Sequence, residues 1–486
     1  MFSRALLLIL LFSASITTSR GGDESSDKHA VGKTALISLR KKIDALLSNP
    51  LFSSASIGVR IISLQSGKSL YAFNQDKLFH PASNQKIIVT SAGLHLLERN
   101  FRFRTNIGSD GVLRNDVLDG NFIIRGAGDP LICTADLDSV AGSLLRLGIR
   151  TIQGNIIGNI TYFDTLFWGK GWMWDDEPYP ESPFISPLSV NRNAITFSLQ
   201  PGIHERDTIL WTQEPQTTFV TVINKGYTSA DTSLPFLSLM RPTRNNIVTI
   251  EGVMSPTDTG RDISISLWQP EQYFLCLLRE RLESVGIRCH GSLVIADHAA
   301  STVLAFLEHP LDSVLHRINK ESDNLAAENL LKTIGSEYVK KPGTSADGIT
   351  AIKGFLHTYG IDTAAISLAD GSGASWYNAV SPRMMTEILL KEYKQKETFR
   401  RFYESLSIAG TDGTLKNRMR KPRLRDKVHA KTGSLTGVNC ISGYVTMKNG
   451  TMAAFSIMVN HFTCDNADVR QMQDDIIEAI ALSTLK

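Results

Sequence analysis

Three short segments constrain this chain more than any other feature: Ser83-Asn84-Gln85-Lys86, Ser322-Asp323-Asn324 and Lys431-Thr432-Gly433, in that order. Singly they are weak. Ser-x-x-Lys recurs at Ser25/Lys28, Ser38/Lys41 and Ser483/Lys486, and Ser189-Val190-Asn191 repeats Ser-x-Asn; only Lys-Thr-Gly is unique. Read alone, Ser83 is a helix cap, Ser322 or Asp323 is another, and Lys431 to Gly433 is a turn. Their weight comes from the elements they fall on. Ser83 precedes an apolar run from Ile87 to Leu97 in which Ile88, Ala92 and Leu96 recur at four-residue steps, which predicts a buried helix beginning near Ser83. Positions i and i+3 share a helix face, so Lys86 would set its amine beside the Ser83 hydroxyl. Ser322-Asp323-Asn324 opens a second apolar helix, Leu325 to Leu331. Lys431 lies in the stretch Val428 to Val438, ahead of an alternating strand pattern from Cys440 to Thr446, as in a hairpin. Brought to one place, the three segments describe a serine acyl-transfer site whose base is an amine, with no histidine.

The fold must therefore converge segments that are far apart. The interval from Ser83 to Ser322 is more than twice that from Ser322 to Lys431, longer than a helix-to-helix connection requires, and predicts folded insertions. It holds short strand-like runs, Asn121 to Ile124, Thr151 to Ile160, Asn246 to Ile250 and Asp262 to Leu267, and one helical run, Glu271 to Ser284, ended by Gly286 before a strand around Ser292 to Ile295. The remainder reads as a discontinuous core. A helix (Leu36 to Leu47) and a strand pair (Ser56 to Ser63, Ser69 to Phe73) lead to the Ser83 helix; the Lys431 strand, a strand from Met452 to Val459 and an amphipathic helix from Met472 to Leu485 complete it. Asp474, Asp475 and Glu478 deny that last helix the basic face expected on anionic lipid, which favours packing on the sheet. The expected division is a signal segment 1–19, a flexible leader 20–33, core 34–105, β-rich insertion 106–296 and core 297–486.

Composition sets size and compartment. With 486 residues and 42% hydrophobic content the chain can bury more than one core. A net charge of +3 gives no reason to expect nucleic acid as a partner. Arg4 followed by the apolar run Ala5 to Ile16 reads as a secretory signal, too short for an ordinary membrane span, and no later stretch reaches span length. Export places the expected substrate outside the cytoplasm, in a periplasm or beyond. Five cysteines (Cys133, Cys276, Cys289, Cys440, Cys464) contain no zinc spacing, so no metal and no cofactor is expected. Cys276–Cys289 and Cys440–Cys464 are conceivable disulfides; buried free thiols are the equal alternative. Trp168, Trp172 and Trp174 suit either a glycan surface or packing under a loop.

Around the motifs the chain resembles the low-molecular-mass penicillin-binding proteins of the D-Ala-D-Ala carboxypeptidase/endopeptidase family, peptidase family S13. The resemblance is carried by Pro81-Ala82-Ser83-Asn84-Gln85-Lys86, Arg125-Gly126-Ala127-Gly128-Asp129-Pro130, Gly171-Trp172-Met173-Trp174-Asp175-Asp176 and Ser186-Pro187-Leu188-Ser189-Val190-Asn191. It continues in Asp370-Gly371-Ser372-Gly373, Val380-Ser381-Pro382-Arg383 and Ala409-Gly410-Thr411-Asp412-Gly413-Thr414-Leu415. Ala127 stands where a third glycine is usual, and Ser434 where threonine is common. The resemblance implies an α/β (α+β) transpeptidase/β-lactamase-like fold, an antiparallel sheet between helices, with β-rich domains inserted after the nucleophile helix. It also implies a serine D-alanyl-D-alanine carboxypeptidase or endopeptidase acting on peptidoglycan stem peptides and acylated by β-lactams. Ser83 would be the nucleophile, Lys86 its base, Ser322 a proton relay and Asn324 the residue orienting Lys86. Lys431 would complete the catalytic set, and Thr432, Gly433 and Ser434 would bind the substrate. A serine β-lactamase shares the trio, but the glutamate that class A enzymes place between the first two motifs has no recognisable counterpart here. A non-catalytic peptidoglycan-binding protein on the same fold is the other reading; the intact Ser83, Lys86, Ser322, Asn324 and Lys431 argue against it.

Overall fold

The computed structural model describes residues 24–231 and 233–485. The signal segment expected at residues 1–19 lies outside them. Six strands form one antiparallel sheet in the order Ser69–Phe73, Ser56–Ser63, Met452–Asn460, Val438–Thr446, Val428–Leu435, Ser407–Ile408. Segments from near the two ends of the chain thus meet in one sheet.

Side chains alternate across a strand, and both faces here are apolar. Ile57, Val59, Ile61, Ile441, Phe455 and Ile457 share one cluster with Leu39 and Ile43 of the helix Glu24–Leu47 and with Met472, Ile476 and Ile480 of the helix Asn466–Ala481. Cys440, Tyr444, Ala454 and Met458 share the other with Ile87, Ile88 and Ala92 of the helix Gln85–Leu96 and Ala326, Leu330 and Leu331 of the helix Asn324–Ile334. Each fully buried Ile or Leu in these layers contributes about 1.5–3 kcal/mol. The result is the expected α/β class, an antiparallel sheet between helices.

Several element bounds differ from the sequence reading. The first helix begins at Glu24, inside the stretch expected as a flexible leader, because extending a helix already nucleated by the packed residues Leu39 and Ile43 is far easier than starting one. The last helix runs from Asn466 to Ala481 rather than Met472 to Leu485; its first turn is polar, with Asp468 at the positive dipole end, and so escapes an apolar pattern. All five cysteines are unpaired, so neither conceivable disulfide forms.

The residues between the first two motifs build a second body with its own core. Its main sheet has the order Leu293–Ile295, Ile156–Asn159, Phe122–Arg125, Arg102–Ser109, Thr302–Pro310. Two three-stranded sheets follow, one of Leu210–Glu214, Ala194–Gln200 and Arg261–Ser266, the other of Thr221–Asn224, Ile247–Glu251 and Ser238–Met240. The chain crosses on a ribbon: Arg102–Ser109 pairs antiparallel with Thr302–Pro310, from Pro310↔Arg102 to Thr302↔Ser109. The helix Pro270–Ser284 matches its apolar run, with proline in its first turn. Nothing in the motif order anticipates the helix Thr134–Arg146, although its buried Leu137, Val140, Ala141 and Leu144 follow the helical i, i+3, i+4, i+7 pattern.

Candidate active site

Ser83 sits in a single 3-10 turn, Ala82–Asn84, that runs directly into the helix Gln85–Leu96. Residues i and i+3 eclipse in such a turn, and Lys86 Nζ stands 2.9 Å from Ser83 Oγ. Ala82 holds φ at +44°, a left-handed conformation costly for a residue with a Cβ. The turn is fastened from below: buried Asn84 donates to Ser442 Oγ on the sheet (2.9 Å), and Gln85 donates to the Asp370 carbonyl (3.2 Å).

Lys86 is fully buried, and its nitrogen has three neighbours. Besides Ser83 Oγ these are Asn324 Oδ1 at 2.5 Å and the Ser372 carbonyl at 2.8 Å. The last two are pure acceptors and must each receive an N–H. A neutral amine has two hydrogens and one lone pair, so both hydrogens are committed and the lone pair is left for the Ser83 hydroxyl. Burial pulls the Lys86 pKa down to about 8, against the upward pull of the Asp370, Glu328 and Asp323 carboxylates. The geometry and the electrostatics agree on an amine that is partly neutral near neutral pH.

Lys431 is equally buried; burial first, and then the positive charge of Lys86, hold it well below the ordinary lysine range. Its Nζ donates to Ser322 Oγ (2.9 Å) and the Thr432 carbonyl (2.7 Å). Asp323, not Ser322, caps the helix Asn324–Ile334 by accepting from Ala326 N (3.0 Å). Ser322, at φ +60°, is thereby free to turn its hydroxyl to Lys431. Gly433 packs on the Ser83 turn: a Cβ there would lie 2.7 Å from Ser83 N and 2.8 Å from the Pro81 carbonyl oxygen. The strand Ser407–Ile408 pairs only with Ala430 and His429, so from Lys431 to Leu435 this edge of the sheet is open. An extended peptide can add to such an edge. The cleft beside it has a volume of about 560 Å³ and is lined by Ser83, Ser322, Asn324, Thr432, Gly433 and Ser434 among others. All eight residues singled out from the sequence are thus brought to one place.

Four supporting groups were not foreseen. Asp370, itself buried, accepts from Gly373 N (2.9 Å), Ser375 N (2.7 Å), Asn378 Nδ2 (2.7 Å) and Trp172 Nε1 (2.9 Å), shaping the loop that presents the Ser372 carbonyl to Lys86. Glu328, one helical turn after Asn324, accepts from Ser372 N (2.7 Å) and Gly371 N (3.0 Å); burial and the Asp370 carboxylate raise it to about 7. The insertion contributes the Glu181 carbonyl, which accepts from Asn324 Nδ2 at 2.5 Å and so fixes which end of that amide faces Lys86. Of the tryptophans, Trp168 and Trp172 pack edge to face under the loop, as one of the two readings expects, while Trp174 is 76% exposed. A helical glutamate and two backbone carbonyls give little sequence signal; the Asp370-Gly371-Ser372-Gly373 motif was the available hint.

Residues 39 to 482 match the D-Ala-D-Ala carboxypeptidase 3 (S13) family. This protein belongs to that family. Membership makes it a serine-type D-Ala-D-Ala carboxypeptidase by class, as the resemblance implies. Among its relatives, the D-alanyl-D-alanine carboxypeptidase of Actinomadura sp. strain R39 is 31% identical over 446 residues, 87% of this chain and 81% of that protein. The D-alanyl-D-alanine carboxypeptidase DacB of Haemophilus influenzae is 26% identical over 438 residues, 89% of this chain and 91% of the relative. The crystal structure of penicillin binding protein 4 (dacB) from Haemophilus influenzae superposes with a TM-score of 0.81 at 25% identity, over 90% of this chain and 99% of that one. A second structure of the same protein, complexed with a β-lactam, gives 0.74 at 25% identity, over 90% and 98%. Among the described residues no helix is long and apolar enough to cross a membrane.

Proposed function

We propose that this enzyme cleaves the terminal D-Ala-D-Ala amide of peptidoglycan stem peptides, and the corresponding amide in cross-links, through an acyl-enzyme on Ser83. The observation that carries the reading is the Lys86 nitrogen 2.9 Å from Ser83 Oγ with its other two contacts on obligate acceptors. Serine is a poor nucleophile until a base takes its proton, and no histidine lines this cleft. Ser83 Oγ attacks the carbonyl carbon of the penultimate D-alanine while its proton passes to Lys86 Nζ. The oxyanion is received by the backbone N–H groups of Ser83 and Ser434, each donor of this kind being worth about 2.7–4 kcal/mol. Ser322, hydrogen-bonded to Lys431, relays a proton to the departing amine as the C–N bond breaks. Thr432, Ser434 and Lys431 hold the terminal carboxylate. Water, deprotonated by Lys86, then hydrolyses the ester. No metal or cofactor enters any step.

A β-lactam presents the same carboxylate and a strained amide, so it acylates Ser83 in the same pose. That the penicillin-binding relative forms a β-lactam complex supports this reading. The N-terminal signal pattern supports export to a periplasm or cell surface, where stem peptides are found. The test is mass spectrometry of the full chain after penicillin treatment. One labelled peptide containing Ser83, slow loss of the label, and no D-alanine release by Ser83→Ala are expected. A label elsewhere, or unchanged D-alanine release by Ser83→Ala, ends the proposal; rapid nitrocefin turnover returns the β-lactamase reading.

A further inference from the structure

The cleft does not stop where a terminal D-alanine would end. On the proposed reading the carboxylate lies at Thr432 and Ser434, and both hydroxyls are backed by neighbours: Thr432 Oγ1 donates to Thr414 Oγ1 (2.8 Å), and Asn466 Nδ2 donates to Ser434 Oγ (3.0 Å). Beyond these two the same cleft continues along Asn417, Arg418, Leu435 and Arg470. Its volume, about 560 Å³, falls among sites that enclose whole drug-sized ligands rather than one amino acid.

The far wall is cationic. Arg418 is locked in place, donating to Asp474 Oδ1 (2.6 Å) and Gln473 Oε1 (3.2 Å). Arg470, on the same helix as Asn466 and one turn later, is exposed; its guanidinium makes no side-chain hydrogen bond or close ion pair among the described residues and is attracted only at longer range by Asp474, which Arg418 already holds. The acidic residues lining the cleft, Glu181 and Glu321, come instead from the segments flanking Asn324 and Ser322, and Glu321 is already taken by Arg317 at 2.6 Å. A fixed cation and one with no close partner therefore line the same cleft.

We infer that Arg470, set beside Arg418, forms an anion subsite beyond the terminal-carboxylate position and selects leaving peptides that carry a further carboxylate. A terminal D-alanine has one carboxylate and nothing beyond it. Where the diamino acid bears a carboxylate beside its side-chain amine, the leaving strand of a cross-link carries the equivalent carboxylate and then continues through that side chain into a second stem with further carboxylates. Arg470 is the cation free to receive one of them, by a charge-assisted and potentially bidentate contact. This inference rests on the function proposed above and deepens it: it predicts a preference for cross-linked over terminal substrates and assigns it to this wall of the cleft.

The test compares the full-length wild type with Arg470→Gln and Arg470→Glu on two substrates. One is a pentapeptide stem ending in D-Ala-D-Ala; the other is a dimeric stem peptide whose D-alanine is amide-linked to the side-chain amine of the second stem. A hydrogen bond to a charged group is worth a tenfold or greater change. The ratio of kcat/KM for dimer over pentapeptide should fall about tenfold in Arg470→Gln and further in Arg470→Glu, chiefly through KM for the dimer. Penicillin labelling of each variant reports an intact Ser83. An unchanged ratio overturns the inference, and so does an equal loss on both substrates, which would put Arg470 at the carboxylate they share. A wild type that cleaves the pentapeptide but not the dimer overturns the inference and leaves the carboxypeptidase function standing. A wild type that releases no D-alanine from the pentapeptide ends both.

Discussion

Gly433 and Ser83 meet backbone to backbone: a Cβ on Gly433 would stand 2.7 Å from the Ser83 nitrogen. The glycine of the third motif is thus a clearance requirement. It lets the open sheet edge approach the nucleophile's own N–H group, so that one oxyanion can reach donors from both. No flexible side chain lies at this contact to yield; the nearest atoms are backbone atoms of Pro81, Ser83 and Asn84.

Gly433→Ala should therefore push the strand off the Ser83 turn. Overpacking of this kind costs about 1–3 kcal/mol, and a displacement near 1 Å at a reacting centre costs roughly a hundredfold in rate. A fluorescent-penicillin acylation rate and a thermal melt together check this. Acylation at the wild-type rate would mean that the strand is not held against Ser83.

Acylation should depend on pH through Lys86. Its neutral form is the base, and burial sets its pKa at about 8. Below that value the neutral fraction falls about tenfold per pH unit, so the acylation rate should climb steeply from pH 6 and level off above about pH 8. The measurement is the second-order rate of penicillin labelling between pH 6 and 9.5. A flat profile would mean that Lys86 is not the titrating base.

Glu328 is a positioning residue. Both its oxygens accept N–H groups, from Gly371 and Ser372, and those bonds hold the Ser372 carbonyl on Lys86. Glu328→Gln replaces one oxygen by an NH2 group facing an N–H donor. We expect a loss of about 1.5–3 kcal/mol in stability, acylation slowed roughly tenfold, and a shifted midpoint in the pH profile just described. A variant with lower stability but an unmoved profile would reduce Glu328 to a purely structural role.

The insertion reaches the site through a buried ion pair. Arg241, whose side chain is 0% exposed, lies 3.1 Å from Glu177 and also donates to the Glu177 carbonyl (2.9 Å). Four residues later the Glu181 carbonyl receives Asn324 Nδ2. Removing one partner of a buried pair costs about 3–5 kcal/mol because the other is left charged and dry. Arg241→Ala should lower the melting temperature and, by loosening Glu181, slow penicillin acylation several-fold. A lowered melting temperature with wild-type acylation would separate the insertion from the chemistry.

Much of the architecture is legible in the chain. The strand-forming residues of Ser56–Ser63 and of Cys440 to Thr446, the four-residue spacing after Ser83 and the apolar run after Asn324 each imply an element, because burial demands apolar residues at the positions that face a core. The helix Thr134–Arg146 carries a helical trace of its own, inside a segment dominated by strand-like runs. The polar first turn of Asn466–Ala481 left no such trace. Ser83, Lys86, Ser322, Asn324 and Lys431 were nameable because their side chains are what the chemistry uses.

The one-dimensional order of residues determined which side chains carry reactive groups, and, through the intervals between motifs, that a second body had to be inserted. Only the tertiary structure decided that Lys86 is dry, that its two hydrogens go to Asn324 and Ser372, and that Arg418 and Arg470 line the cleft that holds Ser434. The physical reason is that a pKa, a hydrogen-bond direction and an unmet charge belong to surroundings. The surroundings of Lys86 are assembled from carbonyls and carboxylates remote along the chain, whose residue types do not disclose what they will face.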